Sequence, residues 1–197
     1  MDKEERLRRQ FDFLVKLDAM KSIERRSPIY SCERRENDAE HSWHTAVMAM
    51  VFAEYAPEGA DAGRAAQMLL VHDLIEIYAG DTFAYDPQAN LDKAKREQEA
   101  ADRLYAILPA EQGTDLRGMW EEFDAMETPD AKYAAALDRI QPLLANWFSG
   151  GLTWREGNVH SSQVYERMDP IREGAPELWK AVEYIIEESV KKGTLAR

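Results

Sequence analysis

An all-α fold in one compact domain is predicted by three observations. Apolar residues recur at three- and four-residue spacing along most of the 197 residues. No segment alternates apolar and polar residues persistently enough to form a sheet. The interruptions between periodic segments fall at helix-breaking residues: Pro57-Glu58-Gly59, Gly80, Pro109, Pro129 and Gly150-Gly151. The length suits a single domain over residues 1–197 and suffices for a sizeable hydrophobic core. No internal repeat or low-complexity segment stands out.

The first helix is expected over Leu7 to Met20, where Phe11, Leu14, Val15 and Leu17 share the helical spacing. Ser22 to Asp38 differs: it carries Arg25, Arg26, Pro28, Arg34 and Arg35 with few apolar residues, and reads as an irregular, lid-like connection. Unstructured connections of that length commonly serve a site. Asn37 or Asp38 is positioned to cap the next helix, which runs through His41, His44, Val47, Met48 and Val51 to about Tyr55. A helix from about Asp61 to Ala79 follows and stops at Gly80. Asp81 to Asn90, with Phe83, Tyr85 and Pro87, is turn-rich. Helices are then expected at about Leu91–Leu108 and Asp115–Met126. Another begins at Pro129, a residue suited to a first helical turn, and extends past Pro142 to Trp147. A helical extension over about 155–190, built from Val159–Met168 and Pro176–Val190, completes the chain before a frayed tail.

The composition narrows the function classes. A formal net charge of -12 argues against nucleic-acid backbone binding, which needs clustered Lys and Arg. It leaves room for a small anionic substrate, because a local arginine cluster or a metal reverses the potential inside one cleft. Cys32 is the only cysteine, so no intrachain disulfide framework is available. No apolar run reaches the roughly 18 to 20 residues of a membrane span, and Met1-Asp2-Lys3-Glu4-Glu5 does not open a secretory signal. A cytoplasmic protein with no membrane partner is the expectation.

The stretch Val71-His72-Asp73-Leu74-Ile75-Glu76 is the most informative. A His-Asp pair lies within an apolar helical run, where unpaired polar groups are expensive to bury. On a continuous helix His72, Asp73 and Glu76 fall within a sector of roughly 100°, which points two strong metal donors and a third carboxylate the same way. His41 in the preceding helix and Asp138 in the helix after Pro129 are candidates to complete a shell of two imidazoles and two carboxylates. Such N/O ligation suits Mn, Co, Fe, Ni or Zn with positions left for water and substrate. A buried hydrogen-bonded His-Asp pair is the plain alternative, but it leaves Glu76 and His41 unexplained. His44, one turn from His41, is a competitor for the ligand position.

These residues resemble the signature of the HD-domain metal-dependent phosphohydrolases, a His, a His-Asp pair and a distant Asp. Here they stand as Ala39-Glu40-His41-Ser42-Trp43, His72-Asp73 and Leu137-Asp138-Arg139. His72-Asp73-Leu74-Ile75-Glu76-Ile77-Tyr78-Ala79-Gly80-Asp81 and Trp120-Glu121-Glu122-Phe123 bring it nearer the small bacterial 5'-deoxynucleotidases and their eukaryotic relatives. The signature region spans about 11–147. The resemblance implies a helical HD-domain fold, one divalent metal ion on His41, His72, Asp73 and Asp138, and release of phosphate from (deoxy)nucleoside 5'-monophosphates by metal-activated water. It also implies that Glu76 and Asp81 line the site, and that an arginine near the domain start, Arg25 or Arg26, meets the substrate phosphate. Lys93, Lys95 and Arg96 are a weaker cationic source.

In chemical terms Glu76 orients the water or exchanges its proton, and Asp81 does the same from another side or protonates the leaving ester oxygen. Another phosphate ester, such as a signalling nucleotide, and a non-catalytic metal- or nucleotide-binding role are the alternatives. A two-iron oxygenase would need more histidines than the four present. His160 reads as a surface residue, and Trp43, Trp120 and Phe123 as packing anchors. Phe83 and Tyr85 either border a base pocket or cover a loop. A homodimer is a further expectation, with Trp147, Phe148, Leu152 and Trp154 as its apolar contacts.

Overall fold

The computed structural model describes residues 1–197. Asp2 opens α1 (Lys3–Leu17) by accepting from the backbone N–H of Glu5. A short 3₁₀ turn over Asp18–Ser22 then leads into a two-stranded antiparallel hairpin, β1 (Glu24–Pro28) and β2 (Arg35–Asn37). The connection expected to be irregular is therefore ordered. Its alternation is written in charged residues, with Arg25 turned inward and Arg26 outward, so no apolar period of two marks it.

Asn37, not Asp38, caps α2 (Asp38–Val51). Its side chain accepts from Glu40 N at 3.0 Å while Glu40 Oε2 accepts from Asn37 N at 3.3 Å. Asp38 is thereby released to point into the protein, where it is fully buried. The helix expected over Asp61–Ala79 is two elements, α3 (Ala62–Val71) and α4 (Glu76–Ala79), with a tight turn at His72–Ile75 between them. α5 (Lys93–Tyr105) and α6 (Ala110–Ala125) follow. α6 starts a turn earlier than expected because Gly113 serves close packing: a Cβ there would lie 2.4 Å from the Tyr105 carbonyl oxygen.

α7 (Pro129–Phe148) is the central helix, with thirteen buried residues and Pro142 in its interior. Proline lacks the N–H that would reach the Asp138 carbonyl, so the helical ladder is interrupted at a predicted site residue. α8 (Leu152–Glu156), α9 (Ser161–Met168), α10 (Ile171–Gly174) and α11 (Trp179–Lys191) wrap the remainder. Gly174 brings α10 against α7 so closely that a Cβ would sit 2.1 Å from the Lys132 carbonyl oxygen.

Two apolar clusters make the core. The larger joins α2, α3, α7 and the C-terminal helices; the smaller joins Phe13, Met20, Leu74 and Ile75 to α5 and Trp120. Met68 and Leu69 belong to the first and Val71 and Leu74 to the second, so His72 and Asp73 lie on the seam. Trp120 is a packing anchor as expected, whereas Trp43 is 63% exposed on the outer face of α2. Trp154 is 2% exposed and belongs to the core, which removes it from the expected dimer contacts. No helix is long and apolar enough to cross a membrane.

Candidate metal centre and substrate cleft

The turn after α3 carries the central pair of the site, His72 and Asp73. Neighbouring residues of an α-helix diverge by about 100°, which spreads their side chains. His72 still closes a helical bond, its N–H reaching the Met68 carbonyl at 2.8 Å. Beyond it the bonds shorten to three residues: Leu74 N to Val71 O at 3.1 Å, Glu76 N to Asp73 O at 2.9 Å, and Ile77 N to Leu74 O at 3.3 Å. The backbone tightens to 3₁₀ geometry. His72 and Asp73 meet at their side-chain tips, with His72 Nε2 3.1 Å from Asp73 Oδ2.

Two other helices meet this point. α2 contributes His41, whose Nε2 lies 3.0 Å from Asp138 Oδ1 and 3.8 Å from Asp73 Oδ2. α7 contributes Asp138, whose Oδ1 is 3.4 Å from His72 Nε2. All four side chains predicted as metal ligands thus converge in one buried cluster. Donors held about 2.0–2.2 Å from a metal lie roughly 3.0–3.5 Å apart; His41, His72 and Asp73 keep their donor atoms within 4.8 Å of one another, and Asp138 joins them through the two imidazoles at 3.0 and 3.4 Å.

The tautomers make the same point. The Nδ1–H of His72 donates to the Leu69 carbonyl at 2.8 Å, and His72 Nε2 is buried with no hydrogen-bond partner. His41 Nδ1 faces Gln141 Oε1 at 3.1 Å. Both imidazoles therefore turn Nε2 toward two carboxylates, a position that a proton fills without metal and that a divalent cation can take over. His44 stands off this cluster, 3.5 Å from Gln141 Nε2.

The electrostatics are those of a site awaiting positive charge. Burial alone would depress the His72 imidazolium, yet Asp73 and Asp138 overcome it and raise it to about 10. His41 is likewise raised against burial and the Arg25 charge by Asp138 and Glu36. Burial would lift both carboxylates, but His72 and Arg25 hold Asp73 far below the ordinary range, and His41 and His72 hold Asp138 there.

A second group of carboxylates flanks the first. Oxygens of Asp38, Glu76 and Asp81 lie within 4.8 Å of one another. Arg25 Nη1 serves both groups, at 2.7 Å from Asp73 Oδ2, 3.2 Å from Asp38 Oδ1 and 3.9 Å from Asp81 Oδ1. Burial, then the charges of Asp73 and Asp38, push Glu76 well above the ordinary carboxylate range. Burial raises Asp81 against the pull of Arg25, and raises Asp38 to about 6.

Of the predicted arginines, only Arg25 reaches the carboxylates. Arg26 is exposed and lies 5.3 Å above the Phe83 ring, Arg34 pairs with Glu40, and Arg35 pairs with Glu156. Lys93 borders the cleft, while Arg96 ties the 80–92 segment through the Ala79 and Ala89 carbonyls. The cleft runs from His72, Asp73 and Asp138 past Phe83 and Tyr85 to Trp154, Arg167 and Met168.

Four nearby residues were not among the predicted site residues. Asp38 was hidden by its fitness as a cap. Glu36 lies on a strand without apolar pattern. Gln141 is one turn beyond Asp138 on the same face of α7, a spacing that was readable. Arg167, with Nη2 3.7 Å from Asp138 Oδ2, arrives from a distant helix.

Residues 17–179 match the family model of the HD domain. The 5'-deoxynucleotidase HDDC2 of Homo sapiens is 29% identical over 133 residues, 67% of this chain and 64% of that protein. The Bos taurus protein of the same name is 29% identical over 138 residues, covering 70% and 66%. The chain therefore spans just under two thirds of the length of these curated relatives. The crystal structure of a predicted metal-dependent phosphohydrolase from Magnetospirillum magnetotacticum MS-1 superposes with a TM-score of 0.94 at 44% identity, covering 98% of this chain and 97% of that one. The PH0347 protein of Pyrococcus horikoshii OT3 shares the fold with a TM-score of 0.60 at 22% identity, over 92% and 98% of the two chains.

Proposed function

The chain belongs to the HD-domain family of metal-dependent phosphohydrolases, and on that premise we propose that it releases phosphate from (deoxy)nucleoside 5'-monophosphates with one divalent cation. The observation that carries this reading is the convergence of His41, His72, Asp73 and Asp138 beside a buried, charged Arg25. Those four side chains would hold the cation, and Mn, Co, Zn, Fe and Ni all suit the donor set. When bound, the cation supplies Lewis acidity to a phosphoryl oxygen and to the attacking water. The nucleotide substrate is supported by the HDDC2 relatives.

Arg25 is the phosphate clamp of this reading. Its recorded contacts all use Nη1, and its Nε is buried without a partner, a donor left for a phosphoryl oxygen. Glu76 has one oxygen unpartnered and a raised proton affinity, which suit it to take the proton of the attacking water. Asp81, also raised, stands in the same carboxylate group beside Arg25 and donates to the leaving ester oxygen. Water attacks phosphorus directly, with no phosphoenzyme. Assembly as a homodimer belongs to the same reading, with the exposed Trp43, Val47, Met50 and Val51 along α2 offering an apolar face; light scattering that returns a single-chain mass removes the dimer.

The test is phosphate release from ribo- and deoxynucleoside 5'-monophosphates by protein stripped of metal and reloaded separately with manganese, cobalt and zinc. Asp73→Asn runs beside it. The reading expects turnover that needs metal and falls at least 100-fold in the variant. Silence with metal occupancy confirmed moves the assignment to another phosphate ester or to a binding role; full turnover after verified stripping rejects the mechanism.

A further inference from the structure

The residues around His41 carry more than a ligand. Its Nδ1 faces Gln141 Oε1 at 3.1 Å, and Gln141 Nε2 donates to Glu36 Oε1 at 2.7 Å. The exposures of Glu36, Gln141 and His41 are 3%, 1% and 0%, so the chain of contacts is sealed from water. The amide orientation is fixed: a carboxylate accepts only, so Gln141 presents nitrogen to Glu36 and oxygen to His41. Gln141 Oε1 can only accept as well, which places a proton on His41 Nδ1 and leaves Nε2 to face Asp138, through a proton without metal and through its lone pair with one.

Glu36 is the unusual member. It is a buried carboxylate with no Lys or Arg within salt-bridge distance. Its second oxygen, Oε2, has no hydrogen-bond partner and lies 3.7 Å from His41 Nδ1. An ionised carboxylate in such surroundings is costly unless a positive charge faces it. The positive charge it faces is that of the His41 unit, seen through the imidazole.

We propose that Glu36 and Gln141 form a positioning relay that holds His41 in its Nε2-donating tautomer and strengthens it as a metal donor. Glu36 comes from β2 and Arg25 from β1, so both strands of the hairpin are engaged with the metal centre, one behind the imidazole and one beside Asp73. The plain alternative is a structural pin between β2 and α7. The two differ in what cation binding does: a pin leaves affinity untouched once the protein folds, whereas a relay sets it.

The relay rests on the metal-site reading, and its test reads cation affinity rather than turnover. Manganese and cobalt affinities of metal-free protein are measured by competition with a chromophoric chelator for the wild type, Glu36→Gln and Gln141→Leu. Glu36→Gln keeps an acceptor for Gln141, removes the charge and sets an amide nitrogen where Oε2 faced His41. The relay expects its affinity to fall roughly 10-fold, and that of Gln141→Leu roughly 10- to 100-fold. In the wild type, cation addition should slow amide exchange at Arg35–Asn37, and in Gln141→Leu it should not. Should Gln141→Leu fail to fold, Glu36→Gln alone decides. Wild-type affinity in a folded Glu36→Gln, or hairpin exchange indifferent to the cation in the wild type, overturns the relay. A wild-type protein that binds neither cation overturns the metal reading itself, a separate result.

Discussion

On the proposed reading Arg25 has two duties that one substitution separates. As phosphate clamp it would favour the substrate, but its charge beside Asp73 and His41 opposes a cation in the same site. Arg25→Gln should therefore lower kcat/KM by roughly 10- to 100-fold, the span of a charge-assisted hydrogen bond. Cation affinity, read by chelator competition, should hold or tighten; its collapse together with kcat/KM would assign Arg25 a purely structural part. His72 sets the pH behaviour. At about 10 in the absence of metal it is protonated at neutral pH, so a cation must displace that proton. Metal affinity should climb with pH, and calorimetry in buffers of different ionisation enthalpy should register proton release. The sign for stability follows from the same shift. The folded value lies above the ordinary 6.5, so the contribution is complete below 6.5 and is lost as pH rises through about 10. Urea midpoints of chelated protein should fall across that interval, and metal-loaded protein should lack the decline.

At the level of elements, caps and close approaches aim the site. The capping box of Asn37 fixes where α2 begins and hence where Asp38 and His41 point. Asn37→Ala should cost about 1 kcal/mol of stability, measured by denaturant titration. Gly174→Ala forces a Cβ against the Lys132 carbonyl and should cost roughly 1–3 kcal/mol, with the cation affinity of the folded protein unchanged. Helices were largely legible because their buried faces repeat at 3.6 residues: Pro129 through Trp147 lies within α7 as observed, and His41, His72, Asp73 and Asp138 assemble across three elements. The hairpin was not legible because its inward residues are Arg25 and Glu36, polar groups that no hydrophobic alternation reveals. The break at His72–Ile75 was hidden for the opposite reason. Val71, Leu74 and Ile75 are apolar enough to continue a helix, and the shift to three-residue bonds appears only in the backbone. The choice of Arg25 over Arg26 turned on that same unread strand, since neighbours in a strand face opposite sides.

The whole molecule is held together at the seam between its two apolar clusters. A cation there would tie α2, the turn after α3 and α7 into one unit and link folding to metal occupancy. A free concentration 100 times Kd should add about 2.7 kcal/mol. For a chain of this size that raises Tm by roughly 5–10 °C over chelated protein, and His41→Ala should abolish the difference. An unshifted Tm in the wild type under confirmed loading would show that the seam is stable without its cation. The raised imidazoles have one more consequence. The carboxylates that raise both imidazoles are the ones that would bind the cation, so protons and metal compete for the same two anions. Loading is then an exchange of counterions, and acid works against it from inside the core.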